Sequence, residues 1–308
     1  MRVLDALSEV VLADWNGEGL PPAAQRRIAH TASLRTSSSL LGVASAAGVE
    51  SVGFQPVSEV VGVVVLSLSG AAMPNCGYYG MGFGMAMAPG SATTYLADSL
   101  RQTVAQGYEP YVDVLNRGWH IAIGRMMTET EALHADGVVG VVLSQRRFEG
   151  GAMEFMALGT AVEATDPKRR GERKTPFSTH LGGVDLEKLS QGGFAPSRIV
   201  VEVSLAIRHD DYATMMAGSI WSQNMEMTGY SELVSTARHG VRRRLERHLD
   251  REHAQGAIIS SFDTSVFEYA PIEGHRDHLA EARVVGTMIR ATGTPTKRDD
   301  PIMMLSLK

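Results

Sequence analysis

Two distant stretches of this chain follow one pattern. Val52 to Leu68, VGFQPVSEVVGVVVLSL, lines up with Gly192 to Ile207, GGFAPSRIVVEVSLAI, with Gly53-Phe54 and Pro56 falling on Gly193-Phe194 and Pro196, 140 positions on. LHADGVVGVVL then matches EHAQGAIISSF, which sets His134-Ala135 and Gly137 over His253-Ala254 and Gly256 at an offset of 119. LGTAVEAT, Leu158 to Thr165, matches VGTMIRAT, Val285 to Thr292, at an offset of 127. The matches keep their order, so the chain is expected to hold one structural unit twice. The changing offsets place about 21 extra residues in the first copy, between its early strand and its long helix, and 8 in the second near FEYAPIEGHRDH. A stretch that one copy lacks is not part of a shared core. NCGYYGMGFGMAMAPG, Asn75 to Gly90, lies in the first gap and reads as an inserted loop spanning 72–90.

Both copies give the same order of elements. SEVVGVVVLSLSG and SRIVVEVSLAIRHD are rich in β-branched residues and bounded by Pro, Gly and Asp, which predicts strands. A long helix follows in each. In the first, Val112, Leu115, Trp119, Ala122, Met126, Thr130 and Leu133 recur at spacings of three and four; in the second, Tyr230, Leu233, Ala237, Val241, Leu245 and Leu249 do so. Gly137 and Gly256 stand where a helix C-terminus wants a residue that tolerates positive φ. Two strands close each unit. On the last of them Phe155, Ala157, Gly159 and Ala161 share one face, as do Ala280, Ala282, Val284 and Gly286, and such small side chains let the helix lie close to the sheet. SAAGVESVG and VDLEKLSQGG add a short helix before each first strand.

The expected fold class is therefore α+β: two tandem units, each a small antiparallel-rich sheet covered by one long helix. Residues 1–33 form an N-terminal helical extension, with PPAAQRRIAHTAS as its helix; 34–165 is the first copy, 166–178 a polar linker, 179–292 the second copy, and 293–308 a tail whose IMMLSL suits an edge strand. A chain of 308 residues with 44% hydrophobic content is long enough to bury a core for each. A net charge of −5 gives no general attraction to nucleic acid or anionic membranes. The single cysteine rules out an intrachain disulfide and fits a cytoplasmic protein. Apolar runs such as EVVGVVVLSL fall well short of the ~20 residues that span a bilayer, and the first residues make a poor signal peptide.

A helix ending in EALHADGVVGVVL, followed by a strand carrying MEFMALGTAV, resembles the YbjQ-like family, also called the heavy-metal-binding domain family. The match is good from about Glu131 to Val162 and fainter in the second copy, and the two copies together cover roughly Ser33 to Thr292. The resemblance implies a small α+β domain that assembles as ring-shaped homo-oligomers, and it implies no enzyme activity. The chain departs from the family's glycine at His134 and His253.

The family's label raises metals. Zinc and copper sites need clustered Cys or His ligands. The candidates are His134 with His253 and Glu154 with Glu281, each pair at matching places in the copies, and His275 and His278 in EGHRDH, with His239, His248 and His253 on or after the preceding helix. Met73, Cys76, Met81, Met85 and Met87 form a soft set suited to Cu(I), although methionines among glycines also make an adaptable contact surface. Glu154 sits among Met156, Leu158 and Thr160, and a carboxylate there needs a partner if buried; an intersubunit hydrogen bond or ion pair supplies one. No nucleophile elbow, His-Glu-x-x-His or Cys-centred signature is present, and no organic cofactor motif. Arg242, Arg243, Arg244 and Arg247 read as a solvated helix face diluted by Glu246, Asp250 and Glu252, not as a nucleic-acid site. The expected role is a non-enzymatic, oligomeric scaffold or binding module with a second copy of itself as partner. The alternative is a transition-metal-binding or metal-sensing protein.

Overall fold

A computed structural model of the chain describes residues 19–33, 39–68, 109–149, 151–168, 175–209, 226–269 and 277–292. The insertion at 72–90, the tail at 293–308 and His275 lie outside the described residues. Along the chain run α1 (Pro22–Ser33), α2 (Val43–Ser51), β1 (Phe54–Ser67), α3 (Glu109–Ala132), β2 (Gly137–Arg147), β3 (Ala152–Ala164), β4 (Phe177–Ser178), α4 (Gly183–Gln191), β5 (Phe194–His209), α5 (Thr228–Arg251), β6 (Gly256–Tyr269) and β7 (Asp277–Ala291). The fold is α+β with two sheets, ordered β1-β3-β2-β4 and β5-β7-β6, and every pairing is antiparallel except β2 with β4.

The details of the two halves recur at the offsets seen in the sequence. Proline has no N–H for a ladder and belongs at edges and bulges; Pro56 and Pro196 sit at register shifts in the edge strands β1 and β5. A second shift falls at Val139/Val142 in β2 and at Ile259/Ser261 in β6. The amide of Thr165 bonds the Gly53 carbonyl at 2.9 Å, and Thr292 bonds Gly193 at 2.9 Å. Ala164 N–H donates to the Asp136 carboxylate, and Ala291 N–H to the Gln255 side-chain oxygen. Helices α3 and α5 are each 24 residues long and start 119 positions apart.

The layers run α5, second sheet, α3, first sheet. Alternation along β5 explains why β5 and its neighbour β7 are buried on both faces, while the edge strand β6 leaves Ile259, Phe262 and Val266 exposed. Ala206, with Ala280, Ala282 and Val284 of β7, meets Leu233, Ala237 and Val241 of α5. The opposite face, with Val203, Leu205, Ile207 and Leu279, joins Tyr111, Leu115 and Trp119 in the cluster around α3. Helix α3 also packs on Val60, Val64, Phe155 and Ala157 of the first sheet, so it is buried along two stripes where the sequence indicated one. Its closest approach is at Gly62, where a Cβ would collide with the Ala122 carbonyl and the Met126 amide. The far face of the first sheet is buried against Val49 of α2 and Leu186 of α4 at its Val139 and Val162 end, and among the described residues it is exposed at the other, where Val65 is 52% and Val142 61% exposed.

Two sequence expectations change. Gly137 and Gly256 simply begin β2 and β6; the left-handed residues are His134 (φ 55°) and His253 (φ 50°). The polar stretch 166–178 ends inside the fold, because Phe177 is buried against Phe54, ring centroids 5.4 Å apart, and Phe177–Ser178 pairs with β2. Among the described residues no helix is long and apolar enough to cross a membrane.

Candidate functional site

His134 and His253 close the two long helices. Each donates its amide to the carbonyl three residues back, Glu131 at 3.0 Å and Asp250 at 3.2 Å. The following alanine amides, Ala135 and Ala254, reach the Thr130 and Leu249 carbonyls. This pair of bonds is the Schellman ending, which requires a left-handed residue where each histidine stands. Both side chains are exposed. His278 lies instead against Tyr230, with its Nε2 3.1 Å from the phenol oxygen and ring centroids 4.7 Å apart. His248 Nδ1 is 2.7 Å from the Glu202 carboxylate. Among the described residues, no group of three or more His, Cys, Asp or Glu side chains is placed to hold a metal ion.

The two matched glutamates have unlike surroundings. Glu154 of β3 is half-buried on the open face of the first sheet, across from Val65 and Arg146 and beside Met156 and Leu158. Glu281 of β7 lies on the matching face of the second sheet, which α3 covers. Burial pushes its carboxyl above the ordinary value, against the opposing pull of Arg283 and Arg147. Burial likewise raises the Tyr111 phenol, and the nearby Glu281 charge adds to the rise. Around them Arg283 donates to Gln145 (3.3 Å) and Asp263 (3.2 Å) and lies 5.7 Å from the centre of the Trp119 ring, while Arg147 is 3.4 Å from the Tyr111 hydroxyl. A cavity of about 500 Å³ opens at this cluster.

A larger cleft of about 740 Å³ runs between α3 and β5, with Trp119, Ile123, Met127 and Val201 on its apolar side and the His248–Glu202 pair on its polar side. Among the described residues, no hydroxyl or thiol is bonded to His248.

Sequence reasoning picked out Glu281 but missed Tyr111, Arg147 and Arg283, the residues that surround it. One signal for them exists: at the helix offset of 119, Tyr111 falls on Tyr230, and at the last-strand offset of 127 Arg283 falls on Met156. The two stretches keep the tyrosine but put Met156 at the place where Arg283 lies over Trp119, which marks two surfaces used differently.

Comparison with known proteins gives a relative along nearly the whole chain. An encapsulin nanocompartment protein, Rv1762c of Mycobacterium tuberculosis, is 30% identical over 284 residues, 89% of this chain and 93% of that protein. Shorter UPF0145 proteins match as well, that of Clostridium perfringens at 37% over 67 residues (22% of this chain, 63% of that protein) and that of Thermotoga maritima at 41% over 63 residues (20% and 59%). The YbjQ family model, described as "putative heavy-metal-binding", matches residues 71–165. The chain belongs to the YbjQ-like family. No solved structure matches it. The YbjQ match covers helix α3, the turn at His134, and strands β2 and β3, the last of which carries Glu154. In this YbjQ-like chain the histidine that replaces the family's glycine still takes the backbone conformation that favours glycine.

Proposed function

We propose that the chain is a tandem pair of YbjQ-like units, 34–165 and 179–292, each a small antiparallel-rich sheet covered by one long helix, and that it acts without catalysis as a self-assembling, ring-like homo-oligomer in the cytoplasm. One observation carries this reading. The sheet face that α3 covers in the second unit is left open in the first, where Val65 and Val142 stand exposed beside half-buried Met156 and Leu158. An apolar sheet face of this kind marks an interaction surface. Support also comes from the Mycobacterium tuberculosis relative, whose name places it with a nanocompartment. The insertion at 72–90, rich in Gly and Met, serves in this reading as a contact loop on the assembly.

The mass of the purified chain under native conditions tests it. Assembly gives a multiple of the 33.2 kDa chain mass at micromolar concentration. A species that stays at one chain mass at every concentration refutes it.

A further inference from the structure

The covered junction inside the chain and the open surfaces at its two ends are made of matching positions. Inside the chain, the second sheet presents Val203, Leu205 and Glu281 to the outer flank of α3, formed by Tyr111, Leu115 and Trp119. At the sequence offsets, these fall on Val63, Val65 and Glu154 of the first sheet and on Tyr230, Val234 and Arg238 of α5. Burial separates the sets sharply. Leu205 is 2% exposed and its match Val65 is 52% exposed. Trp119 is 1% exposed, and its match Arg238 is exposed. Among the described residues, one end of the layered stack is thus a sheet with Val65 exposed between half-buried Val63 and Met156, and the other is a helix flank with Arg238 exposed beside half-buried Tyr230 and Val234.

We infer that chains join head to tail, the open face of the first sheet of one chain docking on the outer flank of α5 of a second copy, in the arrangement the second sheet already has on α3. This rests on the proposed self-assembly and names its surfaces. A sheet-to-helix contact uses different patches on the two chains, so it propagates from chain to chain until it closes on itself. A closed ring then contains an even number of units, with covalent and non-covalent junctions alternating.

The charges fit the same arrangement. Inside the chain the cation comes from the sheet, where Arg283 lies over the Trp119 ring. Between chains those two places are held by Met156 on the sheet and Arg238 on the helix, so the cation comes from the helix. Glu154, the carboxylate on the open face, then meets Arg238 with its stem against Met156. Arg146 already stands opposite Glu154 on the same face, and Arg238, which donates to Thr264 of its own sheet at 3.1 Å, adds a second cation from the partner chain. The exchange also favours each junction with its own partner, because Arg283 and Arg238 would face each other if the second sheet met α5.

The test is a pair of variants, each blocked on one face. Val65→Asp blocks the sheet and Arg238→Asp blocks the helix flank. Each alone is expected to run at the mass of a single chain, because every intermolecular junction needs both surfaces. Mixed in equal amounts, they are expected to form a heterodimer of twice that mass and nothing larger, through the one intact pair of faces. If either variant is unfolded by circular dichroism, Val142→Asp replaces the first and Val234→Asp the second. The inference is overturned if folded variants of either face keep the wild-type mass, or if the mixture forms no dimer. A wild-type protein that is itself monomeric would instead refute the self-assembly reading, so the two failures are distinguishable.

Discussion

Replacing His134 and His253 by glycine should stabilise this protein. An L residue held in the left-handed region costs about 1–2 kcal/mol, and these two side chains sit at φ 55° and 50°. Both are exposed, and the bonds that close the helices come from backbone atoms, so nothing that holds the turn is lost on truncation. Against this, glycine gains freedom in the unfolded chain worth roughly 0.5–1 kcal/mol. The net expectation is a gain of about 0.5–1 kcal/mol for each substitution. The sites belong to different helices, so the double variant should gain about twice as much. Urea unfolding at fixed chain concentration measures this as a rise in midpoint with unchanged slope, the fixed concentration removing any contribution from assembly. His134→Val tests the same account from the other side, because a β-branched residue tolerates the left-handed region less well than histidine, and should lower the midpoint. If both glycine variants lose a kilocalorie or more, the imidazoles make contacts that the turn geometry does not include. If wild type is stabilised by Zn²⁺ and the variants are not, the histidines are ligands and the reading of them as helix-ending residues fails.

Glu281→Gln should change how stability responds to pH. Its folded pKa is raised, so the stability that the protonated carboxyl contributes is present below the ordinary value near 4.5 and is lost as pH rises through the folded pKa. The variant should therefore match wild type near pH 4 and exceed it at neutral pH in thermal melts; equal curves throughout would contradict the burial. Glu129 is 1% exposed and accepts from Arg27 (3.0 and 2.8 Å) and from the Val61 amide (2.9 Å); because Arg27 is 35% exposed and can turn to water, Glu129→Ala should cost about 1–3 kcal/mol by urea titration, mainly through the stranded Val61 amide. Gly62→Ala should cost about 1–3 kcal/mol by forcing α3 off β1, read by the same titration and by loss of near-ultraviolet signal from Trp119; a neutral result would mean that helix and sheet do not touch at Gly62.

Much of the architecture was legible because two stretches of the sequence follow one pattern and so constrain each other. The strands, both long helices and the short helices before β1 and β5 follow from periodicity and turn residues that recur at fixed offsets. The alternation that set Glu154 apart from Gly159 also holds in the observed register. What stayed hidden depends on which unit covers which. Trp119 and Leu115 read as one helical stripe, yet they are buried between two sheets: the Trp119 ring meets Phe155 of the first edge-on, centroids 5.1 Å apart, and a second sheet arrives from far along the chain to cover the rest. Arg147 at the end of β2 and Arg283 in the middle of β7 look like ordinary solvated strand charges until the two sheets are brought together. Gly137 attracted the helix-ending role because glycine is the usual choice there, whereas the geometry of the last turn put His134 in it. Phe177 was hidden by its polar, proline-bracketed surroundings; its pairing with β2 and its ring packing on Phe54 tie it to the first sheet.

The segment from Phe177 to Gly182 acts less as a tether than as a row of stitches. Phe177 and Ser178 pair with β2, the Ser178 hydroxyl accepts the Ile199 amide at 3.0 Å, and the Thr179 hydroxyl lies 3.0 Å from that of Thr287. One short length of backbone is thereby sewn to both sheets. A protease that nicked the chain between Lys168 and Thr175 would leave this seam whole. The two fragments should elute together at the size of the intact protein and separate only in denaturant.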